Sequence, residues 1–399
     1  MLSLKNGVVS VFFTKVIVAF VGLLTVIITS KVLGAQGRGA ISLFTASVAL
    51  VQMFCDFGSS TALINLSYRI NQWKLWLSAV WWILGICAFA TVFSFSLHTS
   101  FIQWVPLSAL LFSILNLNNL LLMGNRMVNQ RNILLVIQPV LLLIFFLVFI
   151  QFNLFSNASY PIAFTMALLV TLIISFIWIA SPLKLAQKQL PKFRFETQIL
   201  SQGIWVQGGQ AIQFLNYRIN FFILVFFMGN ASLGIYNNAV VIGESLWILG
   251  HSLGQMLHMK ILNTDNPIEH RKLTMRMLLI SFAGTSLMLV ALLFIPASFW
   301  EWLFSKEFTE VKHLFYWLAP GIIVFSISNI LNHFFHAKNQ FKFILLVNLT
   351  GLTIGVIASL ICIPLYGLEG ACMAWSAALL ISMLMYVLRF FSAHNLQDA

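Results

Sequence analysis
The chain has 399 residues, 60% of them hydrophobic and only 8% charged, with a formal net charge of +12. Ordinary globular domains carry roughly a quarter charged residues, so this composition excludes a soluble enzyme or binding module and specifies an integral membrane protein. The basicity does not indicate a nucleic-acid partner, because the basic residues gather in the connections on one side of the apolar runs and report orientation.

A bilayer-spanning helix needs about 20 mostly apolar residues, and runs of that order recur along the whole chain. The first, roughly 7 to 33, is too long for a signal-peptide core and shows no small-residue cleavage site, so it reads as a retained helix. After the turn VLGAQGRGAISL a second run, 40 to 64, contains Asp56 within FCDFGSS. Four more follow at 75 to 97, 104 to 124, 133 to 152 and 159 to 180. A basic, proline-flanked stretch, SPLKLAQKQLPKFRFE, occupies 181 to 196. Six further runs lie at 198 to 228, 233 to 259, 274 to 296, 312 to 334, 343 to 365 and 368 to 391. None shows the period-2 alternation of an outer-membrane barrel, so the twelve spans are expected to be helices.

The turn after the seventh span, FMGNASLGIYNN, repeats the glycine spacing of the turn after the first: Gly34 and Gly39 correspond to Gly229 and Gly234 at an offset of 195. SILNLNN (113 to 119) is likewise echoed by SISNILN (326 to 332), and NQRNILLV by NQFKFILLV. These matches predict an N-terminal six-helix bundle (1–180), a linker (181–196) and a C-terminal six-helix bundle (197–399). Two even-numbered halves enter the membrane in the same sense, so they are expected to be related by an axis along the membrane normal, with a central cleft between them. Sixteen basic residues, from Lys5 to Arg389, fall on one side of the span count, against Lys31, Arg38, Lys306 and Lys312 on the other. By the positive-inside rule both termini are expected to be cytoplasmic.

Charges inside spans are functional candidates because a lone charge at the bilayer midplane is costly. Arg218 precedes Gly229 by eleven residues and Glu244 follows Gly234 by ten, so both are expected about 15 Å below the turn, at a depth that allows an ion pair. Lys15 and Asp56 are a similar, deeper candidate pair in the first half. At 100° per residue Gln202, Gln210, Gln213, Asn216, Tyr217 and Asn220 share about a third of the seventh helix, which must face protein or water. Two readings follow: interhelical hydrogen bonding, or a hydrophilic lumen for a sugar-bearing ligand. In the tenth span Ser326, Asn329, His333 and His336 share a face, and Asn116 and Asn119 are the fourth-span counterparts of Asn329 and Asn332. An arginine suits a phosphate group because it stays charged and offers a bidentate fork. Arg218 and Lys15 are therefore lumen candidates, and Glu244, Asp56 and His251 are candidates for ion coupling. The four cysteines lie in or at the edges of spans with no CxxC spacing and are expected to be packing residues. HFFH (333 to 336) lacks a third metal ligand, and no P-loop, GxSxG or HExxH is present, so no cofactor, metal or hydrolytic chemistry is expected.

Four loose motifs now stand together: Lys5 with Asn6; Leu33 and Gly34 with Gly39; Asp56 with Gly58; and Tyr366, Gly367, Gly370 and Ala371 near the last span. With them the chain resembles the O-antigen and polysaccharide flippases (Wzx type) of the multidrug/oligosaccharidyl-lipid/polysaccharide exporter superfamily. The resemblance implies a MATE-like fold and a multi-pass protein of the bacterial inner membrane that moves an undecaprenyl-diphosphate-linked oligosaccharide to the periplasmic leaflet. Its partners would be that lipid, membrane lipid and other polysaccharide-assembly proteins. It also implies a cationic lumen, although lumenal arginines vary in position within the family. The lipid-II flippases of the superfamily typically have two more helices and several lumenal arginines, so the twelve spans and single midspan arginine here point away from that branch. A drug or metabolite antiporter with cation coupling shares the repeat and is the alternative. A membrane glycan polymerase or ligase would need a long outer loop, whereas the longest outer connection here is about 297 to 311.

Overall fold
The computed structural model describes residues 2–58, 71–95, 102–152, 158–187, 197–264 and 266–392, and among these it is helical throughout, with no strand. Helices are the expected answer to lipid, since each backbone polar group is then satisfied within its own segment. Eleven α-helices follow in order: α1 (Leu2–Cys55), α2 (Gln72–Phe95), α3 (Val105–Gly124), α4 (Val128–Gln151), α5 (Ser159–Gln187), α6 (Thr197–Ser245), α7 (Ile248–Leu262), α8 (Pro267–Phe294), α9 (Ala297–Leu303), α10 (Val311–Ala337) and α11 (Phe341–Ser392).

Nine stretches among the described residues are long and apolar enough to cross a membrane. Three of these, in α1, α6 and α11, are broken by glycines at positive φ: Gly34 (65°), Gly229 (78°) and Gly367 (58°). Only glycine takes that conformation without steric cost, so each break is written in the sequence. Each broken helix supplies two limbs, and α7 continues the second limb of α6, so the nine stretches comprise twelve helical limbs among the described residues. Phe226 and Phe294 (82% exposed each) and Ile268 (80%) show the surface a lipid-facing helix is expected to present.

The chain divides into two compact units: Met1–Ile28 with Leu43–Gln210, and Thr29–Ser42 with Ala211–Ala399. In the first unit, Phe44 packs edge-on against Tyr160 (6.4 Å between centroids) and Phe164 (5.7 Å) of α5, and Phe146 of α4 closes on Tyr160 at 5.8 Å. Polar glue sits among these contacts: Trp76 Nε1 donates to Asn118 Oδ1 (3.0 Å), Asn118 Nδ2 donates to Ser175 Oγ (2.8 Å), and the Ser108 and Thr165 hydroxyls share a bond of 2.8 Å. The buried thiols of Cys55 and Cys87 lie 3.8 Å apart.

The second unit contains the contact that the repeated glycines foreshadow. A Cβ on Gly39 would fall on the carbonyl oxygen of Asn230, and one on Gly234 would fall on that of Ala35. At the repeat offset of 195 Ala35 corresponds to Asn230 and Gly39 to Gly234, so this contact maps onto itself as an isologous dimer contact does. Around it, Arg38 Nε donates to Asn238 Oδ1 (3.0 Å), and Asn238 Nδ2 donates to Ser30 Oγ (2.8 Å). The limb that starts after Gly34 is capped by a carboxylate, with Ala35 N donating to Glu307 Oε2 at 2.6 Å. An acidic group there also complements the positive end of the helix dipole.

A second small-residue seam joins α7 to α10. Gly250 lies against Ser326, and Gly254, four residues on, lies against Asn329 and the His333 ring. This spacing lets the two backbones approach closely. The Ser326 hydroxyl in turn shares bonds of 2.8 Å with Ser281 and with Thr285 of α8. Ser326→Ala is expected to lower stability by about 1 kcal/mol, since intramembrane hydrogen bonds average roughly 0.6 kcal/mol each. Thermal unfolding of the purified protein would measure it, and an unchanged midpoint would show these bonds to be energetically idle.

Candidate functional site
The break at Gly229 folds α6 back on itself, so its first limb carries Arg218 alongside Glu244 on the second. The pairing is fork to fork: Arg218 Nη1 donates to Glu244 Oε1 at 2.7 Å and Nη2 to Oε2 at 3.0 Å. The guanidinium carbon also lies 5.0 Å from the Phe221 ring centroid, a cation–π distance. The side chains remain 24% and 22% exposed, so the pair is reachable from outside the helical packing.

Beneath this pair lies a buried aromatic cluster. Trp247 packs on Phe325 (3.8 Å between centroids) and stacks on Trp375 (5.7 Å), while Tyr217 meets Trp247 at 5.8 Å and Phe325 at 5.5 Å. The Trp247 indole N–H is a buried donor without a hydrogen-bond partner among the described residues. Trp247, Phe325 and Trp375 are 6% exposed or less, so the cluster is core that fixes the two helical limbs, with no open face on which a sugar ring could stack.

The amide stripe of α6 divides into groups with different tasks. The side chain of Gln202 lies outside the described residues. Asn216 Nδ2 donates to the Asn348 carbonyl of α11 at 2.9 Å. Asn220, 2% exposed, donates to the Ala371 carbonyl (3.3 Å) and accepts from Ser359 Oγ (2.6 Å). These two asparagines bind α6 to α11. Gln213 Nε2 donates to the Tyr217 hydroxyl at 2.9 Å, which orients the ring beside Arg218, and Gln210 is exposed.

The tenth-span residues also meet neighbouring helices. Asn329 is buried on α10, with its side-chain nitrogen 2.9 Å from His251 Nδ1 of α7, and His333 packs over Gly254. His251 is exposed despite that contact. In the other unit, Asp56 accepts a hydrogen bond from Asn116 Nδ2 at 3.1 Å, and Lys15 is exposed on α1. Thus Arg218, Glu244 and Tyr217 come together in the second unit, while His251 meets Asn329. Sequence reasoning passed over Ser252 and Gln255, which are exposed with His251 on one face of α7. Their one- and four-residue spacing from His251 was the available signal.

Neither a protein-family model nor a curated protein sequence matches the chain. Solved structures do. The lipid II flippase MurJ in an inward closed conformation aligns with a TM-score of 0.75 at 15% identity, over 96% of this chain and 87% of that one. An inward-facing multidrug resistance MATE family transporter of the MOP superfamily aligns at 0.74 with 13% identity, over 95% and 96%. The MATE multidrug transporter DinF-BH aligns at 0.71 with 12% identity, over 98% and 95%. The chain has a MATE-like transporter fold, and at these identities the likeness concerns the fold alone.

Proposed function
We propose that the protein is a flippase that carries an undecaprenyl-diphosphate-linked oligosaccharide from the cytoplasmic to the periplasmic leaflet of the bacterial inner membrane, with both termini in the cytoplasm. The observation that carries this reading is the Arg218–Glu244 pair, a guanidinium in a spanning helix, tied to one carboxylate and still 24% exposed. A diphosphate headgroup can replace that carboxylate with the same bidentate geometry. Exchange of this kind gives the substrate a handle that differs between conformations, as alternating access requires. Exposed His251, Ser252 and Gln255 on α7 supply polar groups for the sugar hydroxyls. Lys15 adds positive charge, and Glu244, Asp56 and His251 serve any coupling ion. The fold neighbours are consistent with this class, since one is a lipid II flippase.

Deleting the gene in the native host and labelling glycolipids by leaflet is the deciding experiment. The expected result is a lipid-linked oligosaccharide accumulating on the cytoplasmic side, restored to the periplasmic side by the wild-type gene. Two of the neighbours are multidrug transporters, which favours antiport as the second reading. No accumulation, together with increased sensitivity to cationic drugs, would replace the flippase by that antiporter.

A further inference from the structure
A cavity of about 580 Å³ opens where α7 ends and α8 begins, well along the chain from Arg218 and Glu244. Its lining combines the apolar Met256, Met259 and Leu273 with the cations Lys260, Lys272 and Arg276, against the single carboxylate of Glu269. The surrounding surface is of the kind that faces lipid: Ile268 is 80% exposed, Leu279 63%, Leu262 62% and Met259 58%. The cavity therefore lies where an apolar helix surface meets a basic helix end, and the positive-inside rule assigns that end to the cytoplasm.

The cavity walls are held by defined bonds. Asn266 Oδ1 caps α8 by accepting from the backbone nitrogens of Ile268 (3.0 Å) and Glu269 (3.3 Å), so the helix start is already satisfied. His270, 4% exposed, is fixed in one tautomer. Its Nε2 lies 2.8 Å from the Thr264 carbonyl, which can only accept, so Nε2 carries the proton. Its Nδ1 lies 3.0 Å from Lys338 Nζ, which can only donate, so Nδ1 presents a lone pair. Arg271 turns away to lie 5.7 Å from the Phe390 and Phe391 ring centroids. Lys338 and Arg271 are thus engaged, and Lys260, Lys272 and Arg276 remain as the cations of the cavity.

We propose that this cavity binds the headgroup phosphate of an anionic phospholipid from the adjoining leaflet. A cavity of this volume holds a glycerophosphate headgroup, the lining cations meet the phosphate, and the methionines take the first methylenes of the acyl chains while the tails stay in the bilayer. Such a lipid site would be occupied whichever substrate the protein carries.

The test uses the full chain in phosphatidylcholine nanodiscs, with phosphatidylglycerol titrated in and bound lipid counted by native mass spectrometry. Wild type is expected to retain phosphatidylglycerol in preference to phosphatidylcholine. Lys272→Gln with Arg276→Gln should weaken retention about 25-fold, on the basis of about fivefold for each cation near the surface. Lys272→Arg with Arg276→Lys keeps both charges and should bind nearly as wild type does, as should Lys306→Gln in the connection between α9 and α10. Retention without charge preference, or unchanged retention in the neutral double variant, would overturn the proposal. Equal losses in the charge-conserving and neutral variants would overturn it too, by showing that packing and not charge was lost. Inorganic phosphate is the remaining arm: it should fail to displace the lipid, and displacement at matched phosphate concentration would make this a free-anion site instead.

Discussion

Gly39→Val is expected to abolish transport and to lower the unfolding midpoint of the purified protein, with Gly234→Val doing the same. At either position the first atom of a side chain meets a carbonyl oxygen of the opposing turn, Asn230 in one case and Ala35 in the other. Backbone cannot rotate aside as a side chain can, so the two helix starts must separate. Separation strains the Arg38–Asn238 and Asn238–Ser30 bonds together with the Ala35–Glu307 cap. Overpacking of this kind costs about 1–3 kcal/mol per site. The sign of the effect is the sharper test. Gly85→Ala, within α2 with open space around its Cβ position, should instead be neutral or stabilising by up to about 1 kcal/mol. Because the two turns share one interface, Gly39→Val and Gly234→Val should not add. Once the first has parted the turns, the second meets less resistance. Full additivity in thermal unfolding, or an active Gly39→Val protein, would mean that the turns do not have to touch for function.

That contact was half legible in the sequence. The repeat at an offset of 195 picked out Gly34, Gly39, Gly229 and Gly234 as a set, and the structure gives Gly34 and Gly229 the same positive-φ break. The mutual packing of Gly39 and Gly234 was beyond sequence reach, because glycine spacing records a need for closeness and not the identity of the neighbour. The twelve spans were legible for a related reason: span length is set by bilayer thickness, a constraint that acts on each segment alone. Arg218 with Glu244 could be paired because both positions were measured from one turn. The amide stripe was harder to read. A helical wheel shows that Asn216, Asn220 and Gln213 share a face, yet it cannot say that α11 covers the first two and Tyr217 engages the third. The same limit hid the role of Asn329 and His333, whose shared neighbour is Gly254 of α7. Glu307 was invisible for a different reason. It is separated by 272 residues from the Ala35 amide it caps, and no local pattern marks a carboxylate that serves a distant helix.

The charge series at Arg218 and Glu244 separates a structural ion pair from a substrate handle. Arg218→Ala leaves Glu244, only 22% exposed, without its two donors. Fully buried pairs broken on one side cost about 3–5 kcal/mol, and partial exposure reduces the cost here to about 1–3 kcal/mol. Glu244→Gln should cost less, since a neutral amide still accepts one hydrogen bond from the guanidinium. Arg218→Lys keeps the charge but loses the fork, so it should retain most of the stability and little of the transport, because a point charge cannot reproduce bidentate contact with a diphosphate. The decisive member is the swap Arg218→Glu with Glu244→Arg. It restores opposite charges across the same two helical limbs and should recover the unfolding midpoint. If Arg218 meets the diphosphate, the swap presents a carboxylate where the guanidinium stood, and flipping measured in proteoliposomes should stay near background. A swapped protein that flips lipid-linked oligosaccharide at the wild-type rate would reduce the pair to a device that fixes helix register, and the anionic headgroup would then need another cation.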